Sequence, residues 1–220
     1  NDLDNINICI WEFADKKSLV YSNLTTEADG KMLETAGSFN IVANYNGKEL
    51  RLKKGELFTV EMPFNKSHPD MFTYYGDSKD GLIDWSVDLN EPVMVNFGDD
   101  LSNQTKEVEI VESEQFDEYG EVMDGEYYQE SESEQAVNYY ELSAGKLGWI
   151  NCDRFYDAEN TSPLMVRVNN AENMVVRLVF RDINSVMPVY SNSNHKDQYE
   201  ATGIPSGERV LLLAYSVKDE

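Results

Sequence analysis

The stretch GKLGWINCDRF, residues 145–155, sets Trp149, Cys152, Asp153 and Arg154 within one strand-length of chain. Cys152 is a nucleophile by type. As a nucleophile it would need a base to ionise its thiol, usually a histidine held by a third group. The two histidines, His68 beside Pro69 and His195 in the polar run SNSNHKDQ, have no local context tying either to Cys152. Strand alternation gives a different reading. Trp149, Asn151, Asp153 and Phe155 would face one way, and Ile150, Cys152, Arg154 and Tyr156 the other. Asp153 and Arg154 would then cap turns or pair with charges on neighbouring strands. The expectation is the opening strand of a domain, with no catalytic residue assigned.

Carboxylates are the other reactive stock: 41 Asp and Glu against 18 Lys and Arg, for a net charge of −23. A pair across a glycosidic bond can hydrolyse it, so a hydrolase using Cys152 or a carboxylate pair is the alternative to a non-enzymatic reading. The composition selects no pair. Calcium wants several loop oxygens, which DSKDGLID (Asp77, Asp80, Asp84) and FDEYGEVMDGE (Asp117, Glu118, Glu121, Asp124, Glu126) offer. The first fails the EF-hand spacing, since Gly76 would take its first position and Val87 its twelfth. It reads as a hairpin turn. The second set holds the metal candidates, weighed against a solvated charge run. Scattered Cys9, Cys152, His68 and His195 make no zinc spacing. The cysteines are either a disulfide, worth roughly 3–5 kcal/mol for so long a loop, or two buried thiols.

A surface this negative repels phosphate backbones and anionic headgroups, so nucleic acid and peripheral membrane binding are disfavoured. No run of 18 apolar residues could span a bilayer. The opening NDLDN has no initiator Met and no basic leader, which reads as a processed or trimmed N-terminus. Hydrophobic residues make up 41% of the chain, enough for a core. Trp85 and the tyrosine pairs at 127–128 and 139–140 are platforms for a sugar or protein partner if exposed; core packing is the default.

The elements that must position these residues are strands. SFNIVANYNGKELRL alternates Phe39, Ile41, Ala43 and Tyr45, turns at Asn46-Gly47, and continues through Leu50 and Leu52. Phe58, Val60 and Met62 alternate up to Pro63, and Tyr75 and Trp85 flank a turn over Gly76–Gly81. INICIWEF, PVMVNF (92–97) and EVEIVE (107–112) add strands. Residues 107–145 then hold 13 acids and no basic residue, and read as a linker or packed loop. Beyond it PLMVRVNN and NMVVRLVFR are strands, the latter with Val176, Leu178 and Phe180 on one face. A turn at Pro205–Gly207 leads to the apolar run Val210–Tyr215, expected to be a central strand covered on both sides.

In order, DGKMLETAGSFNIVANYNGKELRLKKGELFTVEMP, FTYYGDSKDGLIDW, LGWINCDRF, VRLVFRDINSVMP and GIPSGERVLLLAYS resemble an uncharacterised family of envelope proteins of Bacteroidota bacteria. The likeness spans about residues 29–98 and 146–217. It implies an exported protein, often a lipoprotein or surface protein, located in the periplasm, at the outer membrane or outside the cell. The tail, through Pro205, Gly207, Val210, Leu212 and Ala214, also resembles transthyretin-like or carboxypeptidase-regulatory sandwiches. Neither likeness carries a catalytic residue. The expectation is an all-β chain with an N-terminal sandwich-like domain at 1–105, an acidic segment at 106–145 and a C-terminal transthyretin-like sandwich at 146–220. Its function is expected to be structural or binding, toward a protein or glycan of the envelope, with calcium the one cofactor considered.

Overall fold

The computed structural model describes residues 5–64, 66–68, 70–79, 81–97, 137–169 and 174–216, with four two-residue strands between residues 110 and 128. Strand accounts for 64% of it and helix for 4%, so the all-β, sandwich-like class holds.

The first elements are β1 (Ile6–Phe13), α1 (Lys16–Tyr21), β2 (Glu27–Ala28), β3 (Lys31–Tyr45), β4 (Lys48–Glu49), β5 (Phe58–Pro63), β6 (Phe72–Lys79), β7 (Leu82–Pro92) and β8 (Met94–Asn96). The acidic segment contributes β9 (Ile110–Val111), β10 (Gln115–Phe116), β11 (Val122–Met123) and β12 (Tyr127–Tyr128). Then come β13 (Tyr139–Ala144), β14 (Gly148–Phe155), β15 (Thr161–Arg167), β16 (Met174–Phe180), β17 (Val186–Asn192), β18 (His195–Pro205) and β19 (Val210–Ser216).

A seven-stranded sheet runs β1-β3-β14-β6-β7, with β2 and β4 paired to β3. Its long strand β3 turns at Asn46 and Gly47, whose φ of 49° and 76° make the tight hairpin the Asn-Gly pair predicts. The returning strand is shorter than expected. It stops at Glu49, although Leu50 still donates its N–H to the Ala43 carbonyl at 2.8 Å. The β6–β7 hairpin closes between Lys79 and Leu82, so Gly76 is not in the turn but opposite Trp85. A Cβ there would lie 2.9 Å from both Trp149 Cβ and Trp85 Cζ3, and closer still to Ile83. That approach requires glycine.

One face of this sheet packs Phe39, Ile41, Tyr75, Ile150 and Cys152 against the three-stranded sheet β5-β13-β8, which supplies Tyr140, Leu142 and Ala144. The alternation of Phe58, Val60 and Met62 turns these three onto the same core. The other face packs Leu33, Tyr74 and Trp85 against Leu19 of α1 and Val186 of β17. Helix α1 starts where Asp15 caps the Ser18 N–H at 2.7 Å, and Ser18 Oγ returns a contact to the Asp15 N–H at 3.3 Å.

The C-terminal strands form a five-stranded sheet, β15-β18-β17-β16-β19, in which β15 and β16 are not neighbours. Val176, Leu178 and Phe180 face its core as their spacing predicts, joined by Tyr199, Ala201 and Met32 of β3. Two placements differ from the sequence reading. Gly148–Phe155, expected to open the second domain, runs between β3 and β6 in the seven-stranded sheet. The run Val210–Tyr215, expected to be central and covered on both sides, lies in the edge strand β19, with Leu211 55% and Leu212 42% exposed. Ile6–Phe13 is a strand as read; it lies at the sheet's edge, and its interior positions are exposed on both faces.

Candidate functional site

The alternation foreseen for β14 is present, and it sends two groups of polar side chains to opposite faces of one strand. On the face shared with Trp149, Asn151 and Asp153 are both wholly buried. Asn151 Nδ2 donates to Asp153 Oδ2 at 2.6 Å, Thr35 Oγ1 donates to Asn151 Oδ1 at 2.9 Å, and the Gly37 N–H donates to Thr35 Oγ1 at 2.9 Å. A bulge brings Thr35 into place, because the pairing steps from Cys152–Gly37 to Asp153–Thr35. Burial pushes the Asp153 carboxyl well above its ordinary range, against the opposing influence of the Thr35 hydroxyl and the Asn151 amide beside it. Neighbouring Tyr74 is raised as well, by burial first and by Asp153 second. Asp153 Oδ1, Tyr74 OH and Ser38 Oγ have no hydrogen-bond partner.

On the opposite face Arg154 meets Glu34, its cross-strand partner on β3. Nη2 and Nε donate to the same Oε2 at 2.6 and 2.9 Å. His68 Nε2 stands 3.7 Å from the other oxygen of Glu34. The His68 backbone N–H donates to Tyr140 OH at 2.6 Å. The imidazole at this site therefore faces a carboxylate. Cys152 itself is 0% exposed, and burial, helped by Asp153, pushes its thiol well above the ordinary 9.0. In this arrangement the sulfur is protonated and sealed from solvent, the reverse of what a nucleophile needs. His195 sits at the far turn of the five-stranded sheet, where its N–H donates to Asn192 Oδ1 at 3.2 Å.

Both cysteines are free, Cys152 buried and Cys9 exposed on β1. Neither the disulfide nor the buried-pair expectation describes them. Trp85 is no platform: it is 2% exposed and its indole N–H donates to the Thr25 carbonyl at 2.7 Å. Tyr140 is buried likewise. The metal candidates Asp117, Glu118, Glu121, Asp124 and Glu126 lie outside the described residues, as does Asp80. Asp77 and Asp84 sit opposite each other across the β6–β7 ladder. Among the described residues no group of three His, Cys, Asp or Glu is placed to hold a metal ion.

The sites that sequence reasoning missed are the two outer edges. Sheet edges offer unpaired N–H and C=O groups and are ordinarily blunted by charges, proline or shortness. Of the six outer edges of the three larger sheets among the described residues, four follow that rule. β7 carries Asp84 and Asp88, β15 carries Pro163 and Arg167, β5 carries Glu61 and Pro63, and β8 is three residues long. The remaining two do not. β1 is free of charge from Ile6 to Trp11, with Ile8 63%, Ile10 58% and Trp11 49% exposed. β19 is free of charge throughout and exposes Val210, Leu211 and Leu212. The charge-free edge was visible in the sequence, but the position of each strand in its sheet was not.

No helix among the described residues is long and apolar enough to cross a membrane. No protein-family model matches the chain, nor does any curated protein or solved structure.

Proposed function

We propose that the chain is a non-enzymatic binding or scaffold module of the bacterial envelope, and that it binds through its sheet edges. The observation that carries this reading is the pair of unguarded apolar edges, β1 and β19, beside four guarded ones. An edge strand recruits a partner by main-chain hydrogen bonds, with alternate side chains setting specificity. Taking a Leu or Ile side chain fully out of water adds about 1.5–3 kcal/mol. The polar residues of β14 support the same reading by their occupation: Arg154 with Glu34, Asn151 with Thr35 and Asp153, and a thiol without solvent access. The compartment rests on the resemblance of the LETAG, NGKE and GWINCDRF strings to Bacteroidota envelope proteins.

The test is retention of the purified chain on arrayed envelope proteins and glycans. The wild type is compared with Ile8→Lys/Ile10→Lys and Leu211→Lys/Leu212→Lys, alongside assays for acyl, peptide and glycosidic hydrolysis. Retention that falls to background in either edge variant supports the proposal. Hydrolysis abolished by Cys152→Ala in a chain that binds nothing overturns it.

A further inference from the structure

We infer that the partner of each open edge is the other edge of a second copy: β1 of one molecule adds antiparallel to β19 of the next. This rests on the edge-binding reading above and names its partner.

The first argument is charge. A chain of net charge −23 repels its own copies over most of its surface. β1 from Ile6 to Trp11 and β19 from Val210 to Ser216 are uncharged strips where two copies can approach without opposing carboxylates. The second is fit. β1 has 8 residues and β19 has 7, and among the described residues each is hydrogen-bonded on one side only, to β3 and β16 respectively. The third is register. Setting Glu12 opposite Arg209 of the neighbour places Trp11 against Val210, Ile10 against Leu211 and Cys9 against Leu212. Every large side chain exposed on one edge then faces an apolar one on the other. A directly opposed pair of unlike charges stabilises antiparallel strands and fixes their slip. Arg209 is exposed and uses Nε and Nη2 on Asp182, at 3.1 Å and 2.9–3.0 Å, which leaves its Nη1 for Glu12.

A contact between unlike surfaces is heterologous, so it closes into a ring or propagates as a filament. One interface repeated would cover both unguarded edges. A two-fold pairing of β1 with β1 would leave every β19 open. Because the molecules are strongly like-charged, added salt screens their repulsion and strengthens the assembly.

The experiment is sedimentation velocity over a concentration series, at low and high salt, on three proteins: the wild type, Ile8→Lys/Ile10→Lys and Leu211→Lys/Leu212→Lys. The substituted side chains are already in water, and far-ultraviolet circular dichroism verifies that each variant keeps its strands. Head-to-tail pairing requires wild-type species larger than a dimer that grow with concentration and salt. It requires each variant alone to be monomeric, and the two variants mixed in equal amounts to stop at a dimer, since one intact β1 meets one intact β19. A wild type that stays monomeric at every concentration overturns the pairing, while the array result still stands or falls separately. A mixture that stays monomeric also overturns it, as does a variant that still dimerises alone.

Discussion

Arg154 and Glu34 face each other across the β14–β3 ladder, 120 residues apart in sequence, with two guanidinium N–H groups on one carboxylate oxygen at 2.6 and 2.9 Å. The side chains retain 26% and 11% of their exposure, so the pair is largely withdrawn from water. It fastens the strand that chemistry made most conspicuous to the longest strand of the fold.

Removing the guanidinium strands Glu34 as a mostly buried charge with only His68, 3.7 Å from its other oxygen, beside it. Arg154→Met is expected to cost about 2–4 kcal/mol. The double variant Arg154→Met/Glu34→Met should recover part of that loss, because both charges leave together. Urea unfolding of the two singles and the double reads the coupling directly. Equal and additive losses would show that the residues act independently.

Asp153 should make the fold less stable as pH rises. Its folded-state carboxyl is held well above the ordinary 3.8 by burial, so between those values the folded chain binds a proton that the unfolded chain has released. Stability from this residue is complete below the unfolded value and falls as pH rises through the folded one. Asp153→Asn keeps the shape and removes the titration. Relative to wild type it should therefore gain stability from acid to neutral pH, as measured by unfolding across a pH series. A wild-type-minus-variant difference that does not change with pH would contradict the assignment.

The two thiols should report their different settings. Cys9, exposed on β1 of the single molecule, should react readily with a thiol reagent in the folded chain at a concentration low enough to keep it monomeric, whereas Cys152 should react only as the chain unfolds. Counting labelled thiols with and without denaturant checks this. Rapid labelling of Cys152 in the folded protein would reopen nucleophilic chemistry at β14.

What could be read from the sequence was local. Asn46-Gly47 announced its hairpin because few residue pairs accept two positive φ angles, and Val176, Leu178 and Phe180 announced a buried face by their spacing. Which strands pair is decided by tertiary packing, and no local signal carries it. β14 reads as an opening strand until β3 and β6 flank it. Val210–Tyr215 reads as covered on both sides because an unbroken apolar run is the mark of a central strand, yet among the described residues no strand pairs with its outer side. Arg154 in a mostly buried strand signals that a carboxylate must meet it. With 41 acids available, composition alone could not name Glu34.

Cys9 and Leu212 test the edge pairing most directly. In the proposed register they oppose each other between neighbouring molecules, so Leu212→Cys creates a cross-linkable pair with the native thiol. Under mild oxidation this variant should give a ladder of covalent multimers on a non-reducing gel. The ladder should vanish in Cys9→Ser/Leu212→Cys and be far weaker in Leu213→Cys, one residue out of register. A Leu212→Cys chain that runs as a monomer after oxidation, or a ladder equally strong from Leu213→Cys, would contradict the pairing of β1 with β19.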